Sequence, residues 1–353
     1  MKKKIPVAVL GATGLVGQKF IELLQNHPMF EIAELVASEK SVGKRFAEAC
    51  NQIVIPHIMP EIENIIVKPT NPNEVNSKLV FSALPADIAL NVENDFARAG
   101  KIVISKASAF RMVKDVPLLI PEVNSEHLEL LKIQKNQRDL EGCIITDPNC
   151  TTAGLALVLK PILDNFGIKQ VNVTTMQALS GAGFPGVPSL SISDNIIPFI
   201  DGEEEKVERE TLKILGKLNG NKIDNAHFKI FATCTRVPVI DGHTEVVNII
   251  TERDASIEDL KKALTEFKGL PQELRLPSAP EKPIIVREEL DRPQPKLDRD
   301  SGRGMSVTVG RIKKLGECNF SLVLLVHNLV RGAAGAGVLD AELLAKTNLV
   351  EVS

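Results

Sequence analysis

The sequence offers five cysteines, Cys50, Cys143, Cys150, Cys234 and Cys318, as candidate nucleophiles or ligands. Their number is odd, their spacing is wide and no CxxC occurs, which argues against a disulfide framework or a structural zinc site; no metal is expected. Cys150 stands apart. The segment DPNCTTAGLALVLKPIL sets it at the start of a helical pattern, with Asp147 and Pro148 before it as turn residues and Thr151 and Thr152 opening the first turn. A thiol at a helix N-terminus is expected to have a lowered pKa, because the helix dipole favours the thiolate, and thiolate is the form that attacks a carbonyl. Taken by itself, a cysteine at a helix start is more often a small buried hydrophobe. Chemistry at Cys150 therefore needs partners.

A second motif lies at the other end of the reaction. Gly11, Gly14 and Gly17 form GxxGxxG between an apolar run and a helical pattern. Such glycines permit a tight turn and a close backbone approach to a pyrophosphate, with helix N-terminal N–H groups aimed at the anion. Gly11, Thr13, Gly14, Leu15 and Val16 are the expected dinucleotide contacts. The next strand ends VASEKSVGKR. Ser38 and Ser41 offer hydroxyls there, and Lys40, Lys44 and Arg45 offer positive charge that suits a 2′-phosphate, so NADP is preferred. Glu39 keeps NAD open, because a carboxylate at this place takes the ribose 2′-hydroxyl. A solvated charged loop is the plain reading of the same lysines.

These motifs need elements to position them. Residues 5–10 (IPVAVL) read as a buried parallel strand, followed by the glycine turn, a helix through Phe20, Leu23 and Leu24, and a second strand at 31–38. Further strands are expected at 65–67, 79–84, 102–105 and 143–146, separated by helix-compatible stretches such as 86–99 and 124–139. That alternation is the start of a doubly wound α/β sheet. Beyond about residue 148 the chain changes character. Strands at 171–179, 227–239, 243–252, 305–312 and 320–328, with long helices between, suggest a mixed sheet in an α+β domain. A helix from Leu329 towards Ser353 is placed to pack back on the first domain. The Pro- and charge-rich stretch 277–304 reads as a long surface excursion, suited to a subunit interface.

With 353 residues the chain exceeds the size at which single cores stop growing, so two domains are expected. The net charge of −3 gives no global basic field for nucleic acid or anionic membrane, and Trp and Tyr are absent as base-stacking platforms. The lysines of MKKK lead into an apolar run too short for a signal peptide, and no apolar stretch reaches the roughly 20 residues of a spanning helix. A cytoplasmic protein is expected.

The motifs GATGLVGQ, FSALPAD, ASAFRM, DVPLLIPEVN, DPNCTT, QALSGAGFPGVPS, RVPVIDGHTE, RPQP and HNLVRGAAGAG, in this order over nearly the whole chain, resemble those of the aspartate-semialdehyde dehydrogenases, most closely the archaeal and fungal branch. The resemblance implies reductive dephosphorylation of 4-phospho-L-aspartate with NADPH through a cysteine thioester, a step towards lysine, threonine, methionine and isoleucine. It implies a Rossmann-type domain over 1–148, with helix 329–353 packed on it, and an α+β catalytic and dimerisation domain over 149–328, assembled as a dimer or tetramer. Cys150 falls where the family has its nucleophile, Gln177 where it positions the acyl group, and His243 where it has its acid/base. Arg236 matches the holder of the substrate carboxylate. Arg111 and Asn149 match the phosphate site, and Glu203 and Lys206 the site for the substrate ammonium and phosphate. Ser82, in FSALPAD, and Asn328 complete the implied cofactor set.

The residue types suit that substrate. Arginine forks onto carboxylate, a carboxylate suits an ammonium, and histidine moves protons near neutrality. A helix-face ion pair is the competing reading of Glu203 and Lys206. Lys106 stands in SKASAFRM where the resemblance implies Asn, adding charge near the expected phosphate and cofactor region. Rival readings are a malonyl-CoA or succinyl-CoA reductase, against which Asn149 speaks as a phosphate-site residue, and an N-acetyl-γ-glutamyl-phosphate reductase, against which RVPVIDGH speaks. A third is a non-catalytic NADP-binding sensor, against which the joint presence of Cys150, Gln177, Arg236 and His243 speaks.

Overall fold

The computed structural model describes residues 3–350 apart from 51 and 348. Residues 1, 2, 51, 348 and 351–353, which include the end of the expected C-terminal helix, lie outside the described residues.

Strands β1 (Ile5–Leu10), β2 (Phe30–Val36), β3 (Leu79–Ser82), β4 (Ile102–Ser105) and β5 (Cys143–Thr146) form a five-stranded sheet in the order β2-β1-β3-β4-β5. Every neighbouring pair is parallel. A parallel sheet covered on both faces has no wet side, which is why these strands are written as continuous apolar runs. Val7, Val9, Phe81 and Ile104 enter the core beneath helix α1 (Leu15–Leu24), while Ala8, Leu10, Val80 and Val103 enter the opposite core with α2 (Ala86–Arg98). The stretch expected as one helix over 124–139 divides into short turns followed by α3 (Leu130–Arg138). The strand expected at 65–67 does not form. Ile66 makes one antiparallel bridge to Arg45 and is 52% exposed; three apolar residues at a sheet edge give too short a ladder.

From β5 the chain turns through Asp147, Pro148 and Asn149 into the buried helix α4 (Cys150–Phe166). The second sheet follows. It contains β6 (Ile168–Gln177), then, beyond a small hairpin of β7 (Lys217–Asn219) and β8 (Lys222–Asp224), β9 (Lys229–Arg236), β10 (His243–Thr251), β11 (Ile284–Val286), β12 (Val307–Gly316) and β13 (Asn319–Val326). The order is β11-β12-β13-β10-β6-β9, with parallel pairs at both edges and antiparallel pairs between. One face packs on α4, α5 (Glu203–Ile214) and α6 (Ile257–Glu266). On the other, Thr244, Val246, Asn248 and Ile250 of the central strand β10 stay half-buried.

The stretch 277–304 is not only a surface excursion. Ile284–Val286 joins the sheet as edge strand β11, and the buried Asp298 accepts hydrogen bonds from Arg292 and from the Gln294 N–H. The short strand was hidden by its Pro- and charge-rich flanks. After β13 a π-helical turn, Val330–Ala334, leads into α7 (Gly335–Thr347), whose Val338, Leu339, Leu343 and Leu344 enter the core of the first sheet. Arg331 fastens that passage: its guanidinium donates to both oxygens of the buried Glu122, at 3.0 and 2.7 Å.

Candidate active site

The glycine turn sits at the topological switch point, between the C-terminal ends of β1 and β3. Gly11 has φ +72°, and a Cβ there would stand 2.7 Å from the Ala83 carbonyl oxygen. A Cβ on Gly17 would stand 2.1 Å from the Gly11 carbonyl oxygen, so α1 starts hard against the turn. Gly14 is the N-cap of α1 and has no side chain to occupy the first-turn N–H groups around Leu15 and Val16. This geometry fits a pyrophosphate cradle. At the end of β2, Ser38, Glu39 and Lys40 are exposed, whereas Ser41 is buried with its N–H on the Ser38 carbonyl. Arg45 is engaged with Glu48, so its charge is already paired. Ser82 is enclosed at the end of β3, beside Glu93 of α2, and offers no surface to a cofactor. Its apolar neighbours in LVFS place it inside the sheet.

Cys150 is the first residue of α4. Asn149 caps the helix, its Oδ1 accepting from the Thr151 N–H at 2.9 Å and the Thr152 N–H at 3.3 Å. Among the described residues this leaves the Cys150 N–H as the free donor of the first turn. The Sγ atom lies 3.1 Å from His243 Nε2. Three strands place the histidine and its neighbours. Gln177 ends β6 and pairs with Arg236 at the end of β9, and on the other side His243 opens β10 one step beyond the Thr244–Met176 pair. Gln177, Arg236 and His243 therefore stand side by side at one end of the sheet, where α4 begins.

Helix α5 closes the site. Glu203, Lys206, Glu210 and Lys213 recur at helical spacing along one face. Glu203 accepts from Asn149 Nδ2 at 2.7 Å and lies 3.6 Å from Lys206, so the i,i+3 pair exists and also faces the cysteine turn. Glu210 accepts from Arg111 Nη1 at 3.0 Å and from the Asn149 backbone N–H at 2.6 Å. Lys213 donates to the carbonyls of Arg111, Val113 and Val116. Sequence reasoning did not single out Glu210. The signal was present, since Glu210 is seven residues beyond Glu203 and so on its face.

Burial disfavours charge on both members of the central pair. Burial pushes the Cys150 thiol up to about 12, with Glu203 adding to the rise and Arg111, Arg236 and Lys106 opposing it. This differs from the lowered pKa expected of a helix start, because burial of the thiol outweighs the helix start and the three nearby cations. Burial, then Arg236 and His327, push His243 down to about 3. Asn328 has both ends of its amide engaged: Oδ1 accepts from the Gly242 N–H and Nδ2 donates to Ser180 Oγ, each at 2.8 Å. Lys106 turns inward, its Nζ 3.3 Å from Asp147 Oδ2, instead of adding open charge near the phosphate region. Two glycines mark close approaches. A Cβ on Gly181 would stand 3.0 Å from His243 Cε1, and one on Gly332 would stand 2.7 Å from Cys150 Cβ.

A dinucleotide-type parallel sheet joined to a mixed sheet that carries a histidine to a helix-start cysteine defines the two-domain semialdehyde dehydrogenases. Residues 6–131 match the family described as "Semialdehyde dehydrogenase, NAD binding domain", and residues 159–331 the one described as "Semialdehyde dehydrogenase, dimerisation domain". An aspartate-semialdehyde dehydrogenase of Archaeoglobus fulgidus is 56% identical over 98% of this chain and 99% of its own length. The crystal structure of aspartate semialdehyde dehydrogenase with NADP from Candida albicans superposes with a TM-score of 0.89 at 42% identity, covering 99% of this chain and 100% of that one. A malonyl CoA reductase (NADP) of Metallosphaera sedula is 41% identical over 99% of both chains. The chain belongs to the aspartate-semialdehyde dehydrogenase family.

Proposed function

We propose that this protein interconverts 4-phospho-L-aspartate and L-aspartate 4-semialdehyde through a thioester on Cys150, as an NADP-dependent phosphorylating dehydrogenase of amino-acid biosynthesis in the cytoplasm. The observation that carries this reading is the placing of Cys150 against His243 at 3.1 Å, with Arg111, Arg236, Glu203 and Lys206 offering charges, and Asn149 a neutral amide, for a substrate that bears a phosphate, a carboxylate and an ammonium. The identity to the Archaeoglobus fulgidus relative, 56% against 41% to the malonyl CoA reductase, favours the phosphate substrate.

The turn Gly11–Val16, with Ser38 and Lys40 beyond β2, would hold the cofactor, which in its reduced form, NADPH, would supply a hydride to the acyl carbon. The residues of the chain do the rest. Arg236 receives the α-carboxylate, Glu203 the ammonium, and Arg111 with Lys206 the phosphate. Sulfur attacks the acyl carbon, the Cys150 N–H stabilises the oxyanion, and Gln177 orients the acyl group. Asn328 acts by holding the loops beside the nicotinamide site. The half-buried face of the second sheet serves a homodimer, and a tetramer would add a second contact.

The deciding experiment measures NADP reduction by aspartate semialdehyde with phosphate, beside NADPH oxidation with malonyl-CoA or succinyl-CoA. Phosphate-dependent turnover should exceed the coenzyme A-dependent rate and should fall by orders of magnitude in Cys150→Ser with cofactor binding retained. Dominant coenzyme A-dependent turnover, or near-normal turnover of Cys150→Ser, would overturn the reading. NAD run in parallel tests the cofactor preference at Glu39.

A further inference from the structure

The loop that carries Arg111 has little structure of its own. It runs from Phe110, the end of a single 3-10 turn, to Leu118, which bridges to Thr146 of β5. Its backbone N–H groups make turn contacts from Arg111 to Ser108, Val113 to Phe110 and Val116 to Val113, at 3.3, 3.0 and 3.3 Å. Such contacts curl the chain but tie it to nothing outside.

The outside tie comes from Lys213, near the C-terminal end of α5. Its Nζ donates to the carbonyl oxygens of Arg111, Val113 and Val116 at 2.6, 2.8 and 2.8 Å. These partners lie 97 to 102 residues away in sequence. A helix packed on the second sheet thereby grips a loop that leads into the first. An ammonium has three N–H donors and no acceptor, so three carbonyls use it completely, and no neutral side chain of that length offers the same. Burial pushes Lys213 down to about 8 while Asp115 and Glu210 oppose the fall, so the group is charged at neutral pH. Asp115 is held from the opposite side, its carboxylate by Arg138 of α3 and its carbonyl by Gln134 Nε2 at 3.2 Å.

The guanidinium of Arg111 is gripped separately. Nη1 donates to Glu210 at 3.0 Å and Nη2 to the Lys106 carbonyl at 2.7 Å. Nε is buried and has no partner among the described residues, which leaves a donor for an anion. Glu210 and Lys106 act on the tip of a long side chain. Where that tip stands depends on the backbone beneath it, and the Arg111 carbonyl is itself one of the three that Lys213 holds.

We infer that Lys213 is a positioning residue for the phosphate site: by clamping three carbonyls of the Arg111 loop to α5, it keeps the Arg111 guanidinium in register with the cysteine turn. This rests on the acyl-phosphate reading above. Lys213 touches no reactant. It acts through Arg111, and α5 unites the whole arrangement, since Glu203 and Lys206 at its other end face the same turn. Without the ammonium, the carbonyls of the buried Arg111 and Val116 lose a charged donor, and the loop can satisfy them only by changing its curl.

The test uses the full-length protein with Lys213→Met, which keeps the length of the side chain and removes its donors. Without substrate, backbone amides of residues 111–116 should exchange hydrogen faster than in the parent, measured by mass spectrometry. In the oxidative direction the KM for phosphate should rise about tenfold, the effect of loosening one charged contact, with kcat and the KM for the aldehyde within about twofold. Where Lys213→Met does not fold, Lys213→Gln carries the same reading. Lys213 also lines a surface cavity of about 390 Å³ with Met112, Lys114 and His227, through which a small amine can enter. n-Propylammonium carries the atoms that Lys213→Ala removes, and should bring the KM for phosphate in that variant back towards the parent value. Tetramethylammonium, which has no N–H, should not.

A loss spread equally over kcat and every KM would make Lys213 a stability residue only and overturn the proposal, as would a KM for phosphate that propylammonium leaves unmoved. The exchange measurement needs no reactant. Faster exchange in a protein without phosphate-dependent turnover sinks the proposed function alone. Unchanged exchange and an unchanged KM for phosphate in an active Lys213→Met enzyme sink the positioning role alone.

Discussion

Asn149 Nδ2 donates to Glu203 Oε1 at 2.7 Å, while the Oδ1 of the same amide caps the helix that carries Cys150. One side chain thereby sets the nucleophile and the carboxylate proposed for the substrate ammonium at a fixed separation. Asn149→Asp keeps the cap but sets a second carboxylate against Glu203. Asn149→Ala loses the cap, worth about 1 kcal/mol, together with the hydrogen bond to Glu203, but adds no charge. At neutral pH we expect Asn149→Asp to show the lower kcat/KM of the two, and Glu203→Gln to restore part of its loss in a double-mutant cycle. No coupling energy between the two positions would show that the contact does not govern the site.

Glu210 is the second joint. Its carboxylate neutralises the buried guanidinium of Arg111 and receives the Asn149 N–H. Removing one partner of a buried pair strands the other charge and costs about 3–5 kcal/mol. Glu210→Ala should show that loss in denaturant unfolding, and Glu210→Gln, which keeps one acceptor, a smaller one. The KM for phosphate in the oxidative direction should rise in both, since Arg111 loses its anchor. A Glu210→Ala protein of unchanged stability would contradict this.

The first sheet was readable because strands buried on both faces must be apolar throughout, as at Ile5–Leu10 and Leu79–Ser82. The glycine turn was readable because only glycine fits against the Ala83 carbonyl and the start of α1. Cys150, Gln177, Arg236 and His243 could be named from motifs, but their adjacency depends on strand order: a long segment separates β6 from β9 in sequence, yet β6 lies between β9 and β10 in the sheet. The resting protonation of Cys150 was not readable at all. It results from competition between burial, Glu203 and three cations, and a helix-start rule contains none of these terms. Edge strand β11 was missed because three apolar residues among prolines and charges carry no periodicity.

Lys106 explains its own departure from the family pattern. Its side chain is almost wholly enclosed, 3.3 Å from Asp147, and Asp147 in turn meets Asp340 of α7, both acids being fully buried. Burial pushes the Asp340 carboxyl well above the usual carboxylate range, the neighbouring Asp147 adds to the rise, and Lys106 opposes it. The ammonium thus balances an acid pair that ties the C-terminal helix to the turn before Cys150. Lys106→Asn restores the residue implied by the family but leaves this pair without its cation. We expect it to destabilise the protein by about 3 kcal/mol or more, as for any buried pair stripped of one member. Lys106→Asn combined with Asp340→Asn removes one acid along with the cation and should recover most of that loss. Urea unfolding of the two variants beside the parent measures both effects. If Lys106→Asn alone is as stable as the parent, the lysine is not the counter-charge of Asp147 and Asp340.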